Sequence, residues 1–285
     1  MMKVDQAQGL RQKLNHSVRQ AKTIAVVSGK GGVGKSNFVV NFSLQLTKRN
    51  KKVLILDLDI GMGNIDILIG NRSTYSIVDL LKNDISLNRL IEEDSNGLHY
   101  IAGGSSLNHL FKLTDLQRNR FYEAFETLVH QYDYIFFDMG AGATEESLFF
   151  TLSADECIVI TTPEPTSITD AYGMVKHIVS RNDQLPIYAI LNRWNKKSDG
   201  IALLKKFQNV IQQFLSVEVK TLGVIPDDAF VVKGVTAQQP YSELYPKAKA
   251  SKAITQLAEV YLKERNMIDS VNTSFLGRLK NWMEG

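Results

Sequence analysis

Thr23-Ile24-Ala25-Val26-Val27-Ser28-Gly29-Lys30-Gly31-Gly32-Val33-Gly34-Lys35-Ser36-Asn37-Phe38-Val39-Val40 decides the fold of this chain. An apolar strand runs into a glycine-rich loop, and the loop opens a helix-forming stretch. Glycines let successive backbone N–H groups curl around an anion, because no Cβ blocks the approach. The helix start adds its unpaired N–H groups and its dipole. In this reading Gly29, Gly31, Gly32, Val33 and Gly34 form a phosphate cradle. Lys35 reaches the β- and γ-phosphates, the Ser36 hydroxyl ligates Mg²⁺, and Asn37 follows in the first helical turn.

Lys30 is a second lysine, placed inside the glycine-rich segment rather than at its end. It cannot reach its own γ-phosphate without competing with Lys35. Across an interface with a second copy it can touch the partner's nucleotide, as an arginine finger does in trans. Lys30 to Ser36, Lys-Gly-Gly-Val-Gly-Lys-Ser, resembles the phosphate loop of the MinD/ParA class of ATPases, and the resemblance covers nearly the whole chain. It implies that Lys30 is a signature lysine, that ATP, ADP and Mg²⁺ are the ligands, and that ATP closes a homodimer. It also implies a cytoplasmic chain, peripheral to the inner face of the cell membrane when ATP-bound.

Composition bounds the rest. A chain of 285 residues with 44% hydrophobic content has ample core for one α/β domain. The net charge of +3 is too small for whole-protein attraction to nucleic acid. Residues 1–22 hold Lys3, Arg11, Lys13, Arg19 and Lys22 against Asp5 alone, so the remainder is slightly acidic. The single cysteine, Cys157, lies in an apolar run, which excludes an internal disulfide and thiolate clusters. No apolar run is long enough to span a bilayer.

Residues 1–22 read as a basic arm with a thin apolar stripe at Ala7, Leu10, Leu14, Val18 and Ala21. Asp5-Gln6-Ala7-Gln8-Gly9-Leu10-Arg11 looks like the activator motif of FlhG, the flagellar branch of the MinD family. That resemblance implies an FlhF-type signal-recognition GTPase as partner. Gln6 would reach its GTPase site, with Asp5 and Ala7 in the motif and Leu10 and Arg11 docking it. It also suggests flagellar C-ring or switch proteins as partners.

Apolar runs then alternate with amphipathic stretches. They begin at Thr23, Lys52, Leu98, Tyr132, Cys157, Ile187 and Thr221. This pattern predicts a single α/β P-loop domain over 23–266, with a seven- or eight-stranded, mostly parallel sheet covered on both faces. Ligands in such sheets bind at the carboxyl ends of strands.

Chemistry-bearing residues fall at those ends. Asp57 and Asp59 lie two apart on a strand and face the same side. By resemblance Asp59 orients the attacking water and Asp57 supports the magnesium shell. Asp57 capping the following turn is the bland alternative. Asp138, before Met139-Gly140-Ala141-Gly142, reads as the carboxylate that holds Mg²⁺ through water. Gly140 would bring a backbone N–H to the γ-phosphate. Asn192 offers donors and an acceptor that complement adenine, and Pro226-Asp227 lines the adenine pocket in the family. Glu164 sits at the expected dimer face, where it would touch the partner's nucleotide. Thr166 or Ser167 caps the helix that follows.

The tail, 267–285, reads as a linker and an amphipathic helix. Phe275, Leu276, Leu279, Trp282 and Met283 share a face, and Arg278 and Lys280 add charge for anionic headgroups. This is the pattern of a membrane-targeting helix, gaining strength from two copies in a dimer; a helix docked on the body is the rival. A division-site MinD and a ParA-type DNA-partition ATPase remain alternatives to the flagellar regulator.

Overall fold

The computed structural model describes residues 20–59, 63–82, 85–103, 114–195, 199–265 and 275–284. The strands are β1 (Lys22–Val27), β2 (Val53–Leu58), β3 (Glu92–Glu93), β4 (His99–Ile101), β5 (Tyr134–Met139), β6 (Glu156–Thr161), β7 (Ile187–Trp194) and β8 (Val219–Pro226). They form one eight-stranded sheet in the order β3-β4-β2-β5-β1-β6-β7-β8. Every pairing is parallel except β3 with β4.

The helices are α1 (Lys35–Thr47), α2 (Ile65–Ile69), α3 (Ile77–Lys82), α4 (Asp115–Gln131), α5 (Glu145–Ser153), α6 (Pro165–Val179), α7 (Gly200–Leu215), α8 (Ala229–Thr236), α9 (Tyr241–Leu244), α10 (Lys249–Arg265) and α11 (Phe275–Glu284). Successive strand residues feed opposite faces. Ala25, Val27, Ile135 and Phe137 join a core with α4, α5, α6, α7 and α11. Ile24, Val26 and Phe136 join a second core with α1 and α10. There Phe42 of α1 packs between Phe38, Phe136 and Tyr261, with ring centroids 4.9, 5.9 and 5.6 Å away.

β1 is the hub. The chain leaves it for β2 on one side and later returns to β6 on the other, with β5 beside it. That reversal opens a crevice at the carboxyl end of β1, where the glycine-rich loop lies.

Three expectations change. The strand over Glu92–Glu93 was not expected, because two glutamates carry no apolar signal. The arm boundary moves: Lys22 opens β1 and Ala21 is buried, its N–H donating to the Val129 carbonyl at 2.6 Å. Asp5, Gln6, Ala7, Leu10 and Arg11, and the linker before Phe275, lie outside the described residues.

The tail is the largest change. Phe275 and Leu279 are buried in the core rather than presented to lipid. The Phe275 ring packs on Phe125 and Phe137, centroids 5.5 and 5.3 Å away. Arg278 donates to the Ser153 carbonyl at 2.9 Å and to Asp155 Oδ1 at 2.6 Å. Leu276 packs on the same core, and the side chains of Trp282 and Met283 lie outside the described residues. Phe275, Leu276 and Leu279 cover protein here, with the Phe275 ring on aromatic side chains of α4 and β5. Among the described residues no helix is long and apolar enough to cross a membrane.

Candidate nucleotide site

α1 begins in an unusual way. Its N-cap is Gly34 in the left-handed region (φ 91°), with no side-chain cap and no acid in the first turn. α5 and α7, by contrast, are capped: Thr144 accepts from the Ser147 N–H, and Asp199 accepts from Ile201 and Ala202. The first-turn N–H groups of α1 are therefore left for a ligand, and they point at the glycine loop. A Cβ on Gly34 would lie 2.4 Å from the Asn192 amide nitrogen. One on Gly29 would lie 2.1 Å from the Asp170 backbone in α6. Side chains at either place would prise the loop from its supports.

Within this cradle Lys35 is 7% exposed. Its ammonium donates to Asp138 Oδ1 at 3.1 Å and stands 3.9 Å from Asp59 Oδ2. Asp138 is fully buried, and its second oxygen, Oδ2, has no hydrogen-bond partner. A fully buried carboxylate oxygen left bare is costly unless something binds it. Ser36 is buried on the same helix turn. The residues present thus fit a triphosphate in the cradle and a hard cation beside Asp138 and Ser36. Ser28 Oγ donates to the Lys30 carbonyl at 2.9 Å, and the Gly142 N–H donates to the Ser28 carbonyl at 3.0 Å, joining the two glycine turns.

Asp57 takes the turn-capping role given above as the alternative to the magnesium shell. Its Oδ1 accepts from the Asp59 N–H at 3.1 Å, and its Oδ2 accepts from the Asn64 and Ile65 N–H groups at 2.9 and 3.2 Å. It is the peg of the loop between β2 and α2. Burial, then the neighbouring Asp138 charge, push its carboxyl up to about 7. Asp59 reaches Gly140, whose Cβ position lies 3.3 Å from Asp59 Oδ1. Burial raises the Asp59 carboxyl, opposed by Lys35 and reinforced by Asp138. A partly buried acceptor beside the cradle suits a water-orienting role.

Asn192 lies at the end of β7 with its amide donating to the Val33 carbonyl at 2.8 Å. One donor and the carbonyl oxygen remain for a base. The Asp227 N–H donates to the Trp194 carbonyl at 2.7 Å, joining the ends of β7 and β8 beside it. Pro226 pairs with Trp194 in register, and Asp227 is exposed.

Lys30 stands at the rim. Its ammonium lies 2.5 Å from Glu164 Oε2 and donates to Thr166 Oγ1 at 3.3 Å, all within one subunit. The helix expected to be capped by Thr166 or Ser167 has Glu164 at its N-cap and no side-chain cap. Ser167 instead accepts from the Thr162 N–H at 3.0 Å, closing the turn out of β6. Sequence reasoning missed Asp155. It holds Arg278 with one oxygen and accepts from the Thr23 N–H and hydroxyl with the other, each at 2.8 Å. A lone acid before a strand carried no signal for that.

This sheet, its switch point and its glycine cradle define a P-loop nucleoside triphosphatase. The family model described as an AAA domain matches residues 21–187. The chain is 31% identical over 244 residues to the antiactivator FleN of Pseudomonas aeruginosa, covering 85% of this chain and 87% of that protein. It is 32% identical over 238 residues to the flagellum site-determining protein YlxH of Helicobacter pylori, covering 83% and 80%. Among solved structures it resembles the septum site-determining protein MinD complexed with Mg-ADP from Pyrococcus horikoshii. The TM-score there is 0.71 at 27% identity, over 88% of this chain and 100% of that one. The chain belongs to the MinD/ParA family of P-loop ATPases, with flagellar members of the FlhG type among its relatives.

Proposed function

We propose that this chain is a Mg²⁺-dependent ATPase of flagellar number or placement that self-associates around its nucleotide and uses its C-terminal helix on the membrane. The observation that carries this reading is the division of labour within one loop. Lys35 is buried on Asp138, whereas Lys30 stands a third exposed at the rim, turned outward from the cradle. Bound Mg–ATP supplies the phosphoryl group and the charge that the cradle neutralises. Lys35 and the first-turn N–H groups of α1 bind its phosphates, Ser36 and Asp138 hold the cation, and Asp59 orients water. Asn192, Pro226 and Asp227 line the base pocket. Lys30→Ala should keep nucleotide binding and abolish ATP-dependent self-association in sedimentation velocity. An unchanged association constant would sink the trans role.

The flagellar part draws on the names of FleN and YlxH and on the Asp5 to Arg11 motif. The arm would stimulate an FlhF-type GTPase, and C-ring or switch proteins would be further partners. A peptide of residues 1–22 mixed with that GTPase should raise GTP turnover, and a flat rate removes this role.

The docked tail supports a two-position device: docked through Phe275, Leu279 and the Arg278–Asp155 pair, or released to lipid. Asp155→Asn keeps an acceptor for Thr23 but removes the charge that holds Arg278. It should raise nucleotide-free cosedimentation with anionic liposomes. No gain there would mean that the helix stays on the body.

A further inference from the structure

α4 has two flanks with different surroundings. On one, Phe125 packs on the Phe275 ring of α11, and the Tyr122 hydroxyl donates to the Leu279 carbonyl at 3.4 Å, so the tail covers that side. The other flank exposes Glu123 and Thr127. A groove of about 400 Å³ lies there, between Glu123, Ala124 and Thr127 of α4 and the side chains of Leu80, Ile85 and Leu87. The α4 residues are one, three and four apart, so Glu123 and Thr127 stand one above the other on the helix wall. Ile85 and Leu87 are only half-buried against the core, and the apolar surface they leave open faces the groove.

The N-terminal arm starts beside this groove. The Ala21 N–H donates to the Val129 carbonyl in the last turn of α4, and Thr127 comes just before Val129. An extended chain covers about 3.3–3.6 Å per residue, so a few residues carry it from Ala21 round the end of α4. Residues 1–19 lie outside the described residues, and they hold Leu10, Leu14 and Val18 at four-residue spacing. Residues 7–18, coiled at the helical rise, are shorter than the 17-residue α4 and fit along it. Arg11, Lys13 and Arg19 make the arm basic, and α4 exposes Glu123 and Glu126 on this stretch. Arg120, also in the lining, is engaged within the fold.

We infer that this groove is a seat for the chain's own N-terminal arm: Leu10 and Leu14 fill it, and the arm's cations face Glu123 and Glu126. This is a helix-in-groove contact made in cis. Where the arm serves a GTPase, as proposed above, Leu10 must leave the groove first; the seat itself does not depend on that role.

Trypsin cuts after Arg11, Lys13 and Arg19, and its rate there follows the released fraction of the arm. In the full chain, Leu10→Ser with Leu14→Ser should speed these cuts by about five- to thirtyfold, read by mass spectrometry. Thr127→Arg places a bulky cation on the groove wall at an exposed site where arginine is a good helix former, and it should release the arm as well. Protection should persist on dilution. Under mild oxidation Leu14→Cys with Thr127→Cys should join within one chain, with Cys157 buried out of reach. Leu14→Cys with Lys205→Cys, on exposed α7, should not. Equal cutting in the parent and both variants overturns the seat. So does protection lost on dilution, or a cross-link at twice the chain mass, either of which gives the groove to a second copy. Faster cutting in the arm variant but not in Thr127→Arg puts the arm elsewhere on the body and overturns it too.

Discussion

Replacing Asp59 by alanine lowers ATP turnover by about two to three orders of magnitude and leaves nucleotide binding in place. Asp59 lies beside the cradle without holding it together. Its backbone N–H is fastened to Asp57, so the side chain is aimed toward Gly140 by a neighbour that the substitution leaves intact. Lys35 stays on its shorter contact with Asp138. What disappears is a partly buried acceptor next to the phosphoryl position, the group able to hold a water in line. Phosphate release would be measured alongside titration with a fluorescent ATP analogue. The variant should also accumulate as an associated species in sedimentation velocity. Turnover within tenfold of the parent would assign the water to another residue.

Deleting residues 275–285 should do two things at once. It should abolish flotation with anionic liposomes, and it should also lower thermal stability. A tail that served lipid alone would show only the first. Phe275 and Leu279 are 3% and 0% exposed, and burying two such side chains is worth about 3–6 kcal/mol before costs. A net loss of about 1–2 kcal/mol corresponds to a fall in Tm of about 2–8 °C at this chain length. It should come with greater binding of a hydrophobic dye to the uncovered Phe125 and Phe137 surface. An unchanged Tm would mean that the docked helix contributes nothing to the folded state.

Seven of the eight strands were legible as apolar runs, because strands buried on both faces must be apolar throughout. β3 was not, since its two residues are glutamates and carry no apolar signal. The loop between β1 and α1 was legible because its glycines and the helix-forming run after Lys35 are local features of the chain. Asp57 stayed open between two readings for the opposite reason. A carboxylate at a strand end looks the same whether it faces a cation or three backbone N–H groups, and Asn64 and Ile65 find it only through the fold of the loop. Glu164 was read only for a contact with a second copy's nucleotide, and its cis contact with Lys30 depends on how closely Gly29 meets α6.

Local chain chemistry alone determined the parallel sheet, the phosphate loop and the strand-end positions of Asp59, Asp138 and Asn192. Those features follow from periodicity and from groups close together along the chain. Tertiary structure alone decided where the tail lies, which carboxylate Lys30 meets and what Asp57 and Asp155 hold. An amphipathic stripe encodes how much apolar surface must leave water, not what will cover it. A charge encodes a need for a partner, not which partner the fold brings within 3 Å.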